Sequence, residues 1–293
     1  MGIALRIRGR YGSRLAPFAP RADAFLRELQ SWWQRNHGAL LLGAWRKSGA
    51  ADFSPPKDDD VGLKPDAPPD DGQESPSLAI AIHPGAENVV FTVPRRGHIE
   101  VQAKTSTVGP GYHMFVCDAL HALAPELGVR WDPLHEESLD EGFYFHTRNP
   151  SDIHEEMRNF IRNLAAHAMN GYAGHVLQLS MPSQFRYDVP DADVLTPLGP
   201  RDRDWLAGAA ADGARGIDVF PWWHRGAGAH YWLGRALVRM WSAVRWRAPF
   251  NDEQRETLQE VHAALTAAYR AEPRLTYPWR EWSEVATLLG VRA

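Results

Sequence analysis

Four polar side chains on and before one predicted strand have the residue types of a divalent-metal nuclease site. Glu100, Gln102 and Lys104 alternate along residues 98–107 and share one face of the strand, and Glu87 precedes that strand. In such a site, carboxylates hold Mg²⁺ or Mn²⁺ at the scissile phosphate, while a lysine stabilises charge or orients the attacking water. These residues define an enzymatic hypothesis, a phosphodiesterase or nuclease that needs Mg²⁺ or Mn²⁺.

The string Gln102-Ala103-Lys104 resembles a variant strand motif of restriction-endonuclease-like nucleases. The resemblance covers only a short stretch, and Glu87 lacks the proline that usually precedes the acid in that class. An exposed face of an antiparallel sheet produces the same alternation of polar and apolar residues. We therefore favour a solvated sheet face and keep the nuclease as the alternative.

A glycine-containing loop leads from this strand into a predicted helix and has some features of an anion site. The loop contains Gly109 and Gly111 and ends at His113. Backbone amides at a helix N-terminus bind anions such as phosphate. However, no Gly-Lys-Ser or Gly-Lys-Thr follows, and Pro110 removes one amide. A tight strand-to-helix turn is the interpretation that we favour.

Histidines and acids concentrate downstream of this loop, where we look for a transition metal. Imidazole and carboxylate groups suit Zn²⁺, Mn²⁺ or Fe²⁺, so His135, Glu136 and His146 are candidate ligands. The spacing is not that of a metalloprotease, because Arg158 stands where its helix would carry the second histidine. Solvated acids near a helix start explain most of the pattern, and no cofactor is predicted.

Aromatic and arginine residues in the last third of the chain point to recognition. Trp222, Trp223 and His224 are consecutive in a segment flanked by proline and glycine. Adjacent side chains of a regular element point in different directions, so at least one tryptophan is expected at a surface or cleft. Arg235 and Arg239 lie four apart on a predicted helix, and tryptophan and arginine dominate protein interfaces. Base stacking and burial in a helical core are the alternatives.

The whole-chain composition limits the classes of partner and compartment. The chain has 293 residues, a formal charge of -4 and one cysteine. The small negative charge argues against general binding to nucleic acid or anionic membranes, so we expect a protein partner and no membrane. Nucleic acid is kept as an alternative that the net charge does not support. Cys117 cannot form an internal disulfide, which predicts a cytoplasmic protein.

The candidate residues require an α+β fold, with an antiparallel sheet, flanking helices and then a Trp-rich helical subdomain. Residues 1–47 carry nine lysines and arginines against two acids and predict a basic appendage with one amphipathic helix. Residues 48–77 are rich in proline and aspartate and predict a linker. We expect residues 78–199 to form the α+β part and residues 200–293 to form a helical part packed on it.

Hydrophobic periodicity and turn residues predict the individual elements. Strands are predicted at residues 78–83, 88–93, 98–107, 129–131, 142–146 and 175–180. Helices are predicted at residues 23–36, 112–127, 151–169, 200–211, 230–247, 252–270 and 278–289. Ser151 and Asn251 are the expected N-caps, and Gly290 is expected to end the last helix.

The combined pattern favours a binding or accessory protein, of an immunity-type or complex-assembly kind, that acts through an aromatic and arginine surface. The enzymatic alternative is the metal-dependent nuclease that uses the strand-borne acids and Lys104. The two hypotheses place the functional residues in different parts of the chain. The arrangement of those side chains in the structure can therefore distinguish between the hypotheses.

Overall fold

A computed structural model describes residues 3–12, 21–47, 75–133, 138–171, 177–179, 181 and 193–291. These residues form an antiparallel sheet of several strands together with helices and tryptophan-rich clusters, which confirms the predicted α+β class. The chain divides into two compact units. Unit 1 contains residues 1–106 and 112–157, and unit 2 contains residues 107–111 and 158–293.

The described residues contain ten strands, eight α-helices and two 3₁₀ helices. The strands are β1 Ala4–Tyr11, β2 Gly43–Lys47, β3 Ser77–Ala81, β4 Val89–Thr92, β5 His98–Lys104, β6 Val129–Trp131, β7 Leu139–Asp140, β8 Leu177–Gln178, β9 Val194–Thr196 and β10 Gly199–Arg201. The helices are α1 Ala22–His37, α2 Pro110–Glu126, α3 Tyr144–Thr147, α4 Pro150–Gly171, α5 Arg203–Ala211, α6 Ala229–Ser242, α7 Asp252–Ala271 and α8 Trp279–Leu289. The 3₁₀ helices are Gly38–Leu40 and Gly213–Val219.

Unit 1 is built on a seven-stranded sheet with the order β2-β3-β4-β5-β1-β6, and β7 pairs with β1. Every pairing in this sheet is antiparallel. The predicted meander is confirmed as β3, β4 and β5. In β5 the side chains alternate between buried and solvent-facing positions, as the sequence predicts.

Residues 1–47 contribute two strands to this sheet, which corrects the expectation of an appendage with a helix alone. β1 lies inside the sheet, between β5 on one side and β6 and β7 on the other. Its buried Leu5 and Ile7 alternate with Arg6 and Arg8, so the strand has only every second residue apolar. The helix predicted in this segment is confirmed as α1. The predicted linker lies largely outside the described residues, and Ser77 already begins β3.

Aromatic side chains join the helices of unit 1 to the apolar face of its sheet. Phe25 of α1 stacks on Tyr11 of β1, with ring centroids 3.9 Å apart. Trp33 of α1 lies 6.2 Å from the ring of Phe91 in β4 and 6.4 Å from that of Phe115 in α2. Burial of such rings is a main source of folding free energy. The polar face of β1 and β5 is therefore the face opposite this core.

Two local predictions after β6 are wrong, because local hydrogen bonds favour other structures. The predicted strand at residues 142–146 is replaced by the one-turn helix α3, whose first flanking residue, Phe143, has a φ of +55°. The N-terminus of α4 is capped by Asn149 and not by Ser151, since the Asn149 Oδ1 accepts from the Ser151 N–H at 3.1 Å.

Unit 2 contains a three-stranded sheet, with β9 between β8 and β10, and the helices α5 to α8. The predicted N-cap Asn251 is confirmed, because its side chain accepts from the Gln254 N–H of α7. Gly290 ends α8 with a φ of +71°, as predicted. α6, α7 and α8 share a hydrophobic core that includes Leu237, Leu265 and Val285. None of the described helices has the length and apolar character needed to cross a membrane.

Candidate functional site

Glu87 and Lys104, two of the predicted nuclease residues, form an ion pair on the surface of unit 1. The Lys104 Nζ lies 2.8 Å from the Glu87 Oε1, and almost half of each side chain is exposed. Exposed pairs of this kind contribute about 0–1 kcal/mol to stability. The carboxylate that the nuclease hypothesis needs for a metal ion is thus already paired with the lysine.

The other two nuclease residues, Glu100 and Gln102, belong to a polar group on the open face of the sheet. Glu100 accepts hydrogen bonds from the Arg8 Nε at 2.9 Å and from the Gln102 Nε2 at 2.7 Å. The Arg6 Nε lies 3.6 Å from the same carboxylate. This pairing follows from the register, which sets Arg8 opposite Glu100 and Arg6 opposite Gln102. Metal-dependent nuclease activity stays a prediction that these contacts do not favour.

The loop with the predicted anion site packs against the segment 220–224, within unit 2. Gly111 N–H donates to the Trp222 carbonyl, and Trp222 N–H donates to the Val108 carbonyl, both at 3.0 Å. A Cβ atom on Gly111 would overlap Trp222 and the carbonyl oxygen of His224. Gly109 has a φ of +121°, which favours glycine. The Gly111 amide is therefore used in a backbone hydrogen bond to Trp222, and the two glycines allow the loop and the segment 220–224 to approach closely.

Trp222 and Trp223 are both buried, which contradicts the expectation that at least one lies at a surface or cleft. Trp222 has no exposed surface, its ring meets that of Tyr231 at 4.9 Å, and its Nε1 donates to the Gly226 carbonyl. Trp223 stacks on Phe220 with centroids 5.9 Å apart. Because this segment is neither helix nor strand, its adjacent side chains can enter two different aromatic surroundings.

Arg235 and Arg239 lie on one side of α6, as predicted, but both face the same carboxylate on α7. Glu260 accepts from Arg239 at 3.0 Å, and its other oxygen lies 3.6 Å from Arg235. The guanidinium of Arg235 also lies over the ring of Trp232, 5.7 Å from its centroid. These arginines therefore join two helices of unit 2.

An exposed group of aromatic rings lies elsewhere in unit 2, at the end of α7 and the start of α8. We call it the aromatic cluster, and it consists of Tyr269, Tyr277, Trp279 and Trp282. Trp279 stacks on Trp282 with ring centroids 5.5 Å apart and 14° between the planes, and Tyr269 meets Trp279 edge to face at 5.5 Å. Trp279 is 55% exposed and Tyr269 is 40% exposed, whereas the other two rings are buried.

The buried half of the aromatic cluster holds the exposed half in place. The Tyr277 hydroxyl donates to the Glu272 carbonyl at 2.7 Å, and the Trp282 Nε1 donates to the His262 Nδ1 at 3.1 Å. Since residues three apart on a helix share a side, Trp279 lies directly over Trp282. The i, i+3 spacing was readable in the sequence, but which of the two rings would stay exposed was not.

An open cavity of about 560 Å³ adjoins this cluster through Glu272, and its lining also includes two histidines and an arginine. His224 and His230 line it with ring centroids 4.6 Å apart, and Arg274 and Leu275 also contribute. Burial lowers the pKa of His230, the neighbouring His224 lowers it further, and Glu272 opposes both effects. Of the predicted recognition residues, His224 therefore lines this cavity.

Two of the predicted histidines, His113 and His146, meet at one buried carboxylate in unit 1. The Asp140 side chain is inaccessible to solvent, and its Oδ2 lies 2.9 Å from the His146 Nδ1. Its Oδ1 lies 3.4 Å from the His113 Nε2, and the His113 Nδ1 lies 2.8 Å from the Thr105 Oγ1. Asp140 belongs to the stretch of acids and histidines in which a metal is expected, but β7, α2 and α3 bring it together with His113 only in the fold.

The other two predicted metal ligands, His135 and Glu136, lie outside the described residues. Among the residues that the structure does describe, no three histidine, cysteine, aspartate or glutamate side chains are arranged to hold a metal ion. A metal site at His146 thus stays a prediction.

Comparisons with models of protein families, with curated proteins and with solved structures find no match for this chain. The function is therefore inferred from the chemistry of the described side chains.

Proposed function

We propose that this protein is a binding or accessory protein, of an immunity-type or complex-assembly kind, that holds a protein partner at the aromatic cluster. The observation that supports the proposal is the exposure of Trp279, which presents 55% of its surface to solvent while it stacks on a buried tryptophan. A large ring that is already fixed in place binds a partner with little loss of side-chain entropy. The surface differs from the expected one, because Trp222 and Trp223 are buried.

The groups around the aromatic cluster favour an acidic segment of the partner with an apolar anchor. Three exposed arginines, Arg270, Arg274 and Arg280, lie within three residues of these rings in the chain, and none forms an ion pair with a described carboxylate. Arg274 also lines the neighbouring cavity, together with two histidines. Glu272 and Glu281 lie among these cations, so a continuous phosphate backbone is a poorer match than separate carboxylates.

The proposal predicts that the full-length protein binds a fluorescein-labelled peptide in which aspartates and glutamates alternate with leucine and phenylalanine. Fluorescence anisotropy would measure the Kd at two salt concentrations. We expect Trp279→Ala to weaken binding at least about tenfold, which corresponds to about 1.4 kcal/mol. Arg274→Gln should weaken binding less and should reduce its salt dependence.

The matched control is Phe250→Ala, because Phe250 is 68% exposed in the same unit and has no ring contact with the cluster. This variant should bind the peptide as the parent protein does. Two comparison ligands test the chemistry of the partner. One is the same peptide with lysine in place of each acid, and the other is a twelve-nucleotide thymidine oligomer. Equal binding by Trp279→Ala, or tighter binding of either comparison ligand, would contradict the proposal.

A further inference from the structure

The buried carboxylate of Asp140 has two different histidines on its two oxygen atoms. His113 and Thr105, on one side, are completely buried. His146, on the other side, has a quarter of its side chain exposed. The Asp140 Oδ2 accepts from both the ring Nδ1 and the backbone N–H of His146, at 2.9 and 3.2 Å. The carboxylate thus fixes both the position and the orientation of one solvent-accessible imidazole.

The charge of Asp140 determines which ring nitrogen of His146 carries the proton. Burial alone would raise the pKa of Asp140, but the nearby His113 ring and the hydrogen bonds from His146 outweigh it and hold the pKa below the ordinary value of 3.8. The carboxylate is therefore ionised at neutral pH and accepts a hydrogen bond from the His146 Nδ1–H. The lone pair of the neutral ring is then on Nε2, to which no described residue donates a hydrogen bond.

The backbone that carries His146 is strained on both sides. Phe143 and Arg148, which flank the one-turn helix α3, have φ angles of +55° and +59°. Side chains larger than glycine rarely adopt this region, and such residues concentrate at functional sites. Two contacts hold this geometry, since Arg148 pairs with Asp118 at 2.7 Å and the Phe143 N–H donates to the Asp140 carbonyl. Phe143 precedes His146 by three residues, across the single turn of α3, and is 53% exposed.

We propose that His146 is the catalytic base of a hydrolytic site in unit 1 that cleaves small esters with an apolar acyl group. A base whose second nitrogen is held by a buried carboxylate is the arrangement that activates water or a hydroxyl in many hydrolases. Phe143 supplies an exposed apolar surface for the acyl group. This site is independent of the aromatic cluster and of its partner.

The reaction at this site needs only the ester and water. The His146 Nε2 takes a proton from water while the water oxygen forms a bond to the ester carbonyl carbon. The π electrons of the carbonyl group move to its oxygen. When they return, the bond to the alcohol oxygen breaks, and that oxygen takes the proton from Nε2. The products are a carboxylic acid and an alcohol, and His146 is neutral again.

Asp140 and His113 are positioning residues in this site. The Thr105 hydroxyl lies 2.8 Å from the His113 Nδ1, but it donates to the Ile3 carbonyl at 3.2 Å and is therefore not set up as a nucleophile. Thr105 and His113 also have no exposed surface, so a substrate cannot reach that hydroxyl. Their contacts fix the carboxylate from behind, and only His146 is reachable from solvent.

The test uses the full-length protein and p-nitrophenyl butyrate, and follows the release of p-nitrophenolate. We expect His146→Ala to lower kcat/KM about 100-fold, and added imidazole to restore part of the rate. Asp140→Asn should lower kcat at least about tenfold with little change in KM. Phe143→Ala should raise KM and leave kcat nearly unchanged. Thermal unfolding followed by circular dichroism would show that each variant is folded.

The matched control is His98→Gln, since His98 is a partly exposed histidine of unit 1 without a carboxylate hydrogen bond. This variant should hydrolyse the ester as the parent protein does. The proposal is overturned if the parent protein is no faster than free imidazole at the same concentration. It is equally overturned if folded His146→Ala keeps the parent rate, or if imidazole restores none of the lost activity.

Discussion

Two segments of unit 2 share the order aromatic residue, proline, tryptophan, yet they bury their tryptophans to opposite extents. Phe220, Pro221 and Trp222 are enclosed, and Trp222 has no exposed surface. After Tyr277 and Pro278, in contrast, Trp279 presents 55% of its surface to solvent. The identity of the three residues therefore does not determine where the rings lie.

The difference comes from the backbone that follows each proline. Beyond Pro221 the chain stays irregular, and both backbone groups of Trp222 bond to the loop at residues 107–111. Beyond Pro278 the helix α8 begins, and its backbone bonds are made within the helix. Trp279 is then held in the first turn of α8, above Trp282 and beside two tyrosine rings, and more than half of its surface stays exposed.

The largest expected effect comes from replacing each of the two tryptophans by alanine and comparing the losses in the free energy of unfolding. Trp222→Ala removes a fully enclosed ring, so we expect the free energy of unfolding to fall by about 3–5 kcal/mol. Trp279→Ala is the matched change at the exposed position and should cost less than about 1 kcal/mol. Urea unfolding followed by circular dichroism would measure both values. Equal losses would mean that the two rings are enclosed to the same degree.

The contact between the loop and the buried segment gives the next largest effect. Gly111→Ala places a methyl group against Trp222 and the His224 carbonyl, which must then move apart. We expect a loss of about 1–3 kcal/mol in the free energy of unfolding. The control is Gly38→Ala, because a Cβ there meets nothing within 4 Å and the backbone is helical. That variant should be neutral or slightly more stable.

Acidification tests the histidine pair that follows the buried tryptophans. The pKa of His230 in the folded protein lies below its ordinary value of 6.5, chiefly because of burial. Its contribution to stability is therefore complete above pH 6.5 and is lost as the pH falls through the lowered pKa. We expect His230→Gln to remove part of the decrease in unfolding free energy between pH 7 and pH 5. The same decrease in both proteins would assign the effect to other groups.

The smallest expected effect concerns the arginines that the sequence analysis assigned to an interface. Glu260→Gln removes the common partner of Arg235 and Arg239, but Glu260 is 40% exposed, so solvent screens the interaction. We expect a loss of no more than about 1 kcal/mol, and no change in binding of the acidic peptide. A large loss of peptide binding would move the recognition surface from the aromatic cluster to α6.

The sequence predicts elements well where burial alternates along one strand or one helix. In β5 the apolar Ile99, Val101 and Ala103 alternate with polar residues, and in α7 an N-cap precedes a helical period. These patterns lie within one segment of the chain, so they can be read without knowing which elements pack against that segment. β1 has the same alternation, but its arginines are also typical of a basic arm. The pairing with β5, which sets Arg8 opposite Glu100, explains why arginines occur in a strand inside the sheet.

Both candidate sites depend on contacts that no local pattern contains. Asp140, His113 and His146 come from three elements, and a short strand and a one-turn helix supply two of them. Those elements lack the length that periodicity requires. The exposure of Trp279 depends likewise on what α7 leaves uncovered. The sequence therefore indicates histidine and tryptophan as residue types of interest, but Trp222 and Trp223, of which it predicts at least one at a surface or cleft, are both buried.

The position of β1 inside its sheet has a consequence for how the protein folds during synthesis. β1 leaves the ribosome before the strands with which it pairs, and Ala4 pairs with Lys104, roughly 100 residues further along the chain. Its other edge pairs with residues near 130 and 140. Until those segments emerge, both edges of β1 have unpaired backbone groups, and closing such long loops slows folding. The unfinished chain therefore exposes a strand with one apolar face and two unpaired edges for most of the synthesis of unit 1.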